Sequence, residues 1–358
     1  MAYKKWNEQQ IKEQIDRLLT MYMLTNDNDY LLDVELCNRL IDSDLLMFPI
    51  YESFKEHMAE ETETYIKFQP FYDSIKTFAG YKGALNLKLK ELNEYDISIS
   101  ELLSFVHDFY ASLDHDLFRV FKKVFNERKN NLQFTKNRSI TAFIPHLHYS
   151  YININKDDTI NDYLNIVHEY MHAICDNMYY RRDYTSNYPF IELPSLLMEL
   201  IAYDWLADGF TSSYEDDNGN VVINNMWLED IMVSKGQTAA TILKYAKYNL
   251  IESDYLSKVD RFRRKRETLR EMKKMTNTKA TTIYDLMKTS SLERTTYSIA
   301  YITAIELYYL YLEDPERALY VLKELIMMDN KENYERELEH RGINLNEHAK
   351  KHLKSIRI

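Results

Sequence analysis

The sequence predicts a mainly α-helical protein with one small β-sheet, and three observations carry that reading. Only six glycines and six prolines occur in 358 residues, so tight turns are scarce and long elements must dominate. Apolar residues recur at three- and four-residue spacing over most of the chain, as on one face of a helix. The period changes around residues 140–154, where β-branched and aromatic residues cluster as they do in strands.

The elements follow in order. Ile11, Ile15, Leu18, Leu19 and Tyr22 mark a first amphipathic helix, and Asn26-Asp27-Asn28-Asp29 breaks it. Helical stretches run from Tyr30 to Leu40 and from Ser43 to Phe78, with kinks expected at Pro49 and Pro70, until Gly80-Tyr81-Lys82-Gly83 punctuates the chain. A boundary falls at about residue 95, giving a helical region over 1–95 and a second unit over 96–358. Ser98 and Glu101 have the spacing of a capping box at the head of the next helix, which carries Leu102, Phe105, Val106, Phe109 and Leu113. Another helix ends near Arg128, and two short strands follow at Ile140 to Phe143 and Tyr149 to Ile154. The helical period returns from Asp158 to Tyr180, with Leu164, Val167, Tyr170, Met171 and Ile174 on its apolar side. A helix from Pro194 to Ala207, a polar loop around Asp216 to Asn220 and further helices complete the chain.

Composition excludes several classes. Hydrophobic residues at 45% beside charged residues at 28% give the balance of a water-soluble globular protein. A net charge of −11 disfavours nucleic acid, whose phosphates demand a concentrated positive surface. The one basic run, Arg261 to Lys274, alternates with Glu267 and Glu271 at helical spacing and reads as a solvated helix face. No apolar run is long enough to span a membrane, and the opening MAYKKWNEQQ lacks the apolar core of a signal peptide. Two cysteines, Cys37 and Cys175, make no disulfide framework, so a reducing, cytoplasmic setting is expected. Nothing indicates an oligomer.

The chemistry concentrates in His168-Glu169-Tyr170-Met171-His172, an H-E-x-x-H sequence. On a helix, histidines four residues apart project from one face and can grip one metal ion. Glu169, one residue after the first histidine, directs its carboxylate to a water at the metal, as a general base requires. A catalytic zinc takes three protein ligands, so a third must come from elsewhere. Glu192 is the candidate, 20 residues after His172, and Glu199, seven residues further on, is placed to hydrogen-bond a ligand imidazole and fix its tautomer. Among the other histidines, His146 and His148 suit a loop or substrate rim, and His57, His107 and His115 lack a partner at ligand spacing. Cys175 reads as buried.

Three stretches resemble the thimet oligopeptidase and oligoendopeptidase F family of zinc peptidases, which are H-E-x-x-H gluzincins. Tyr151 to Ile174 is similar to the family's edge strand, turn and metal-binding helix; Phe190 to Glu199 to the segment with its third ligand; and Tyr297 to Ala304 to its tyrosine-rich segment over the substrate. The likeness covers roughly residues 97–340. It implies a zincin-type catalytic domain with a small sheet beside the metal helix, one zinc per chain held by His168, His172 and Glu192, and Glu199 behind a ligand. It further implies Glu169 as base and proton shuttle, with Tyr297 and Tyr301 as transition-state donors. The activity implied is endopeptidase cleavage of peptides, probed along the strand Tyr149 to Ile154, which would pair with an extended substrate. Met171 stands where the family commonly has glycine, and only about 95 residues precede the matched region, where the family has a longer helical lobe. Two rivals remain from the residues: a metallopeptidase acting at a chain terminus, which needs a charge-reading side chain, and a zinc- or peptide-binding descendant without catalysis. Retention of Glu169 favours hydrolysis, because binding needs only the ligands.

Overall fold

The structure is a computed structural model and describes residues 8–25, 71–81, 91–126, 130–144, 149–178, 191–209, 213–215, 221–223, 226–256, 291–328 and 334–356. The helical stretch expected from Tyr30 to Leu40 and that from Ser43 as far as Pro70, the basic run at 261–274, and Cys37, His57, His146 and His148 lie outside the described residues.

The first helix, α1 (Glu8–Thr25), buries Ile15, Leu18 and Leu19, the stripe its sequence spells out. Helix α2 (Tyr72–Ala79) buries Ile75, Phe78 and Ala79 and closes at Gly80. These three residues belong to the same apolar core as Leu102, Phe109, Ile174 and Leu319, so the core runs across the region around residue 95. Helix α3 (Ile99–Leu113) is capped by Ser98, whose Oγ accepts from Glu101 N at 3.1 Å. The Glu101 carboxylate accepts instead from the Tyr163 hydroxyl, at 2.5 Å, so the capping glutamate ties α3 to the later metal-motif helix. Asp114 starts α4 (His115–Asn126) by accepting from the amides of Asp116 and Leu117, and Lys323 holds the same carboxylate at 2.8 Å.

A three-stranded sheet follows: β1 (Asn130–Thr135), β2 (Ile140–Ile144) and β3 (Tyr149–Asn155), in the order β1-β3-β2. β3 pairs parallel with β1 and antiparallel with β2. This corrects one expectation. The strand Tyr149 to Ile154 is central and hydrogen-bonded on both sides, so it has no free edge for a substrate; among the described residues the edges are β1 and β2. β1 was not foreseen, although Asn131-Leu132-Gln133-Phe134-Thr135 alternates polar and apolar residues as a strand does, because only two apolar residues carry that signal; in the fold the strand is half-buried throughout.

β3 leads into α5 (Asn161–Met178) through a turn in which the buried Asp162 carboxylate accepts from the amides of Asp157 and Asp158, each at 2.9 Å. Asp158 adopts φ 58°, a conformation that Asp tolerates better than most residues. Leu164, Val167, Tyr170, Met171 and Ile174 are all buried along α5, as the periodicity predicts. Each such side chain contributes about 1.5–3 kcal/mol by leaving water. Helix α6 (Leu193–Gly209) packs against α5 and is followed by an antiparallel pair, β4 (Ser213–Glu215) and β5 (Val221–Ile223); the polar loop expected at Asp216 to Asn220 lies outside the described residues. The long α7 (Met226–Leu256) and α8 (Ser291–Glu313) pack on each other and on α6. Helices α9 (Pro315–Met327), α10 (Tyr334–His340) and α11 (Ala349–Ser355) finish the described chain.

Candidate metal centre

The metal motif lies in the middle of α5, and three neighbouring elements grip its backbone there. The carbonyls of three consecutive residues each accept a side-chain hydroxyl: Val167 from Tyr110 of α3 at 2.7 Å, His168 from Ser195 of α6 at 3.1 Å, and Glu169 from Thr141 of β2 at 2.9 Å. A helical carbonyl has a second lone pair to offer, so these bonds add to the helix ladder. They fix the position and rotation of the turn that presents the two histidines.

The i, i+4 spacing then brings the imidazoles together, His172 Nε2 lying 3.0 Å from His168 Nε2. Glu192 sits immediately before α6, where its carbonyl accepts from Leu196 N at 2.9 Å. Its Oε2 lies 3.3 Å from His168 Nε2 and 3.4 Å from His172 Nε2. Nearly two turns into α6, Glu199 Oε1 accepts from His168 Nδ1 at 2.5 Å. That bond places the proton on Nδ1 and leaves the Nε2 lone pair facing the other two donors.

The donor set fits a metal ion on two counts. Tetrahedral zinc with ligand bonds of about 2.0–2.2 Å requires donor separations of about 3.3–3.6 Å, close to the 3.0, 3.3 and 3.4 Å found. Glu192 Oε2 is buried and, apart from the two imidazoles it faces, has no polar partner, and a buried carboxylate oxygen placed so is costly unless a cation meets it. Among the described residues, His168, His172 and Glu192 are the group of His, Cys, Asp or Glu side chains that converge within ligand distance.

The electrostatics point the same way. Burial alone would push both histidines toward neutrality, yet Glu192 and Glu199 overcome it and raise the His168 pKa well above its ordinary value; Glu192 does the same for His172. Burial acts against the Glu192 charge, but the two imidazoles outweigh it and hold that carboxyl far below its usual range. The cluster is a seat for positive charge, whether a proton or a metal ion. Glu169 is opposite in character: burial dominates over the nearby histidines and raises its pKa, which favours proton exchange nearer neutral pH.

A cavity of about 730 Å³ opens beside the cluster, with His168, Glu169, Glu199 and Tyr297 in its wall. Its far side is α7, where Ser234, Gln237, Thr238, Thr241 and Tyr245 form one polar stripe at three- and four-residue spacing. That stripe was legible in the sequence by its periodicity and was missed, as was Arg138, which lines the cavity from the turn before β2. The two tyrosines of α8 part company. Tyr297 reaches the cavity wall, its ring 6.2 Å from that of Tyr245. Tyr301, one turn on, is buried in the core against Phe78, with its hydroxyl 3.5 Å from His352 Nε2. His107 packs among Phe118 and Phe121, His115 is exposed, and burial pushes up the pKa of the Cys175 thiol behind the motif.

Comparison with solved structures decides the architecture. A Bacillus anthracis str. Ames protein assigned as oligoendopeptidase F superimposes with a TM-score of 0.54 at 10% identity, over 97% of this chain and 60% of that one. A second protein assigned as oligoendopeptidase F gives 0.53 at 12% identity, over 94% of this chain and 65% of the other. This chain has an oligoendopeptidase F-like fold. It spans 60% and 65% of those two proteins, and neither a family model nor a curated protein matches its sequence. The mainly helical, oligoendopeptidase F-like architecture with a small sheet beside the motif helix is the one the sequence predicts. No helix among the described residues is long and apolar enough to cross a membrane.

Proposed function

We propose that this chain is a zinc-dependent endopeptidase that cleaves peptide bonds in oligopeptides, with one zinc held by His168, His172 and Glu192. The observation that supports it most is the convergence of two imidazole nitrogens and an otherwise unpartnered carboxylate oxygen within 3.4 Å, beside a cavity that Glu169 also lines. A zinc ion there supplies Lewis acidity, polarising a peptide carbonyl and easing removal of a proton from water. Glu169, buried and with a raised pKa, takes that proton and returns it to the departing amine. Glu199 holds His168 in the ligating tautomer. Tyr297, on the cavity wall, donates to the oxygen that gains charge in the transition state. Tyr301 supports that helix from the core, since its ring is buried. An extended peptide pairs with the outer edge of β2, whose Thr141 already contacts the motif helix. The substrate is a peptide, with neither nucleic acid nor membrane as partner, and the acidic chain with its free Cys175 suits the cytoplasm.

Hydrolysis of a pool of short quenched-fluorescent peptides tests the reading. Cleavage should vanish on treatment with a chelator and return with one equivalent of zinc. Peptide binding with zinc present and no turnover would instead select the non-catalytic descendant, and cleavage indifferent to chelator would remove the metal from the mechanism.

A further inference from the structure

We propose that Thr141 is the positioning residue of the base: its hydroxyl fixes Glu169 relative to the edge strand that receives the peptide. This rests on the peptidase reading and adds to it what sets the separation of base and substrate. Thr141 lies on β2, paired with the fully buried Ile152 of β3 at one of five positions along the two strands. Its Oγ1 donates to the Glu169 carbonyl at 2.9 Å. Glu169 is thus tied to an edge strand of the described sheet.

Of the three hydroxyls that bond consecutive carbonyls of the motif helix, that of Thr141 stands apart. Tyr110 holds Val167 from within the core, and Ser195 holds His168 from α6. Thr141 holds the base itself, and its hydroxyl lies near the Glu169 carboxyl as well as the carbonyl. Burial raises the pKa of that carboxyl, while the two imidazoles and the Thr141 hydroxyl act the other way. One side chain therefore meets Glu169 at its main chain and at its reacting end.

Threonine suits this task. Branching at Cβ stiffens χ1 and favours the strand, so the hydroxyl has little freedom. A paired strand is also a more precise mount than a loop. Precision matters here because a displacement of about 1 Å from the reactive geometry can cost about 10²-fold in rate. A peptide that pairs with β2 and a base that is bonded to β2 share one frame, and their separation is kept when either helix or sheet shifts as a whole.

Thr141→Val keeps the shape and the strand preference and removes the hydroxyl, while the Glu169 carbonyl retains its helical bond. In cleavage of the quenched-fluorescent peptides its kcat should fall about three- to ten-fold, the loss expected for one neutral hydrogen bond, with KM and zinc content unchanged. Thr141→Ser should recover most of that loss. Tyr110→Phe, which breaks the bond to Val167, should keep kcat within about twofold of wild type. Undiminished kcat in Thr141→Val, a loss confined to KM, a loss absent from neither Thr141→Ser nor Tyr110→Phe, or a loss of zinc overturns the proposal. Binding of acetohydroxamate to the zinc-loaded protein reads the coupling without turnover. A hydroxamate grips zinc and passes its proton to a neighbouring carboxylate, so its affinity reports where Glu169 stands. Thr141→Val should weaken that binding about three- to ten-fold in the wild type and have no further effect in Glu169→Gln, a coupling that the double-mutant cycle measures. Equal weakening in both backgrounds makes Thr141 a general support of the helix and sinks its role alone. Coupling beside a wild type that cleaves no peptide sinks the peptidase reading and keeps the role of Thr141.

Discussion

Two pairs at i, i+4 spacing stand out in the sequence as candidates for chemistry, the histidines of α5 and the tyrosines of α8, and the histidine pair converges while the tyrosine pair does not. His168 and His172 on α5 bring their Nε2 atoms to 3.0 Å, whereas Tyr297 and Tyr301 on α8 separate into a cavity wall and a core. The difference lies in what surrounds each helix. α5 is gripped by hydroxyls from three elements at the motif itself, Glu192 just before a second helix draws both imidazoles to one point, and Glu199 on that helix orients His168. α8 meets the cavity at one turn and the rings of Phe78 and His352 at the next. Spacing on a helix sets a direction, and the neighbouring elements decide what lies in it.

Breaking the converging pair should have the largest effect. His172→Ala removes one of three donors, and the protein should lose stoichiometric zinc and all measurable peptide hydrolysis; metal analysis of the purified variant checks this. Tyr297→Phe should lower kcat by about 10²- to 10³-fold while KM and zinc content hold, as for removal of an oxyanion donor. Glu199→Ala leaves the ligands in place but frees the His168 ring, so zinc affinity should fall about 10- to 100-fold in competition with a chromogenic chelator.

The diverging pair is sharpened by pH. Burial lowers the pKa of His352, the partner of Tyr301, to about 4. The unfolded chain binds that proton near pH 6.5, so between pH 6.5 and about 4 the unfolded state holds more protons and stability rises with pH. The contribution of a neutral His352 is therefore present above pH 6.5 and is lost as pH falls toward 4, a change of up to about 3 kcal/mol. Denaturant unfolding across that window should show a steeper pH slope for the wild type than for His352→Phe. Smallest of all, Tyr301→Phe loses only a long hydrogen bond and should alter stability by about 1 kcal/mol or less, with kcat within about twofold of wild type. A kcat loss in Tyr301→Phe matching that of Tyr297→Phe would show that the two tyrosines act together after all.

Much of the candidate centre was legible in the sequence because the residues that would hold a metal obey local rules. The histidine spacing, the apolar side of α5, and Glu192 and Glu199 seven residues apart all follow from helical periodicity, and the structure places them as one cluster. Apart from the polar stripe on α7, what escaped depended on pairing between distant segments. The central position of β3 follows from β1, a polar strand that contributes a parallel neighbour, and parallel pairing leaves no local mark in the sequence. The turn of Arg138 gains its place from another strand, where Asn153 donates to the Arg138 carbonyl and the Asn155 amide donates to Ser139 Oγ. The hydroxyls of Tyr110, Thr141 and Ser195 reach the motif from three separate elements, and nothing in their own neighbourhoods announces it.

The central claim is that His168, His172 and Glu192 hold a zinc ion on which Glu169 depends for its work. Zinc content and peptide cleavage measured together on wild type and Glu169→Gln test it most directly. The account predicts one zinc per chain in both proteins and a loss of about 10²- to 10⁴-fold in kcat for the variant. Wild-type protein that binds no zinc, or a Glu169→Gln variant that cleaves as the wild type does, would contradict it.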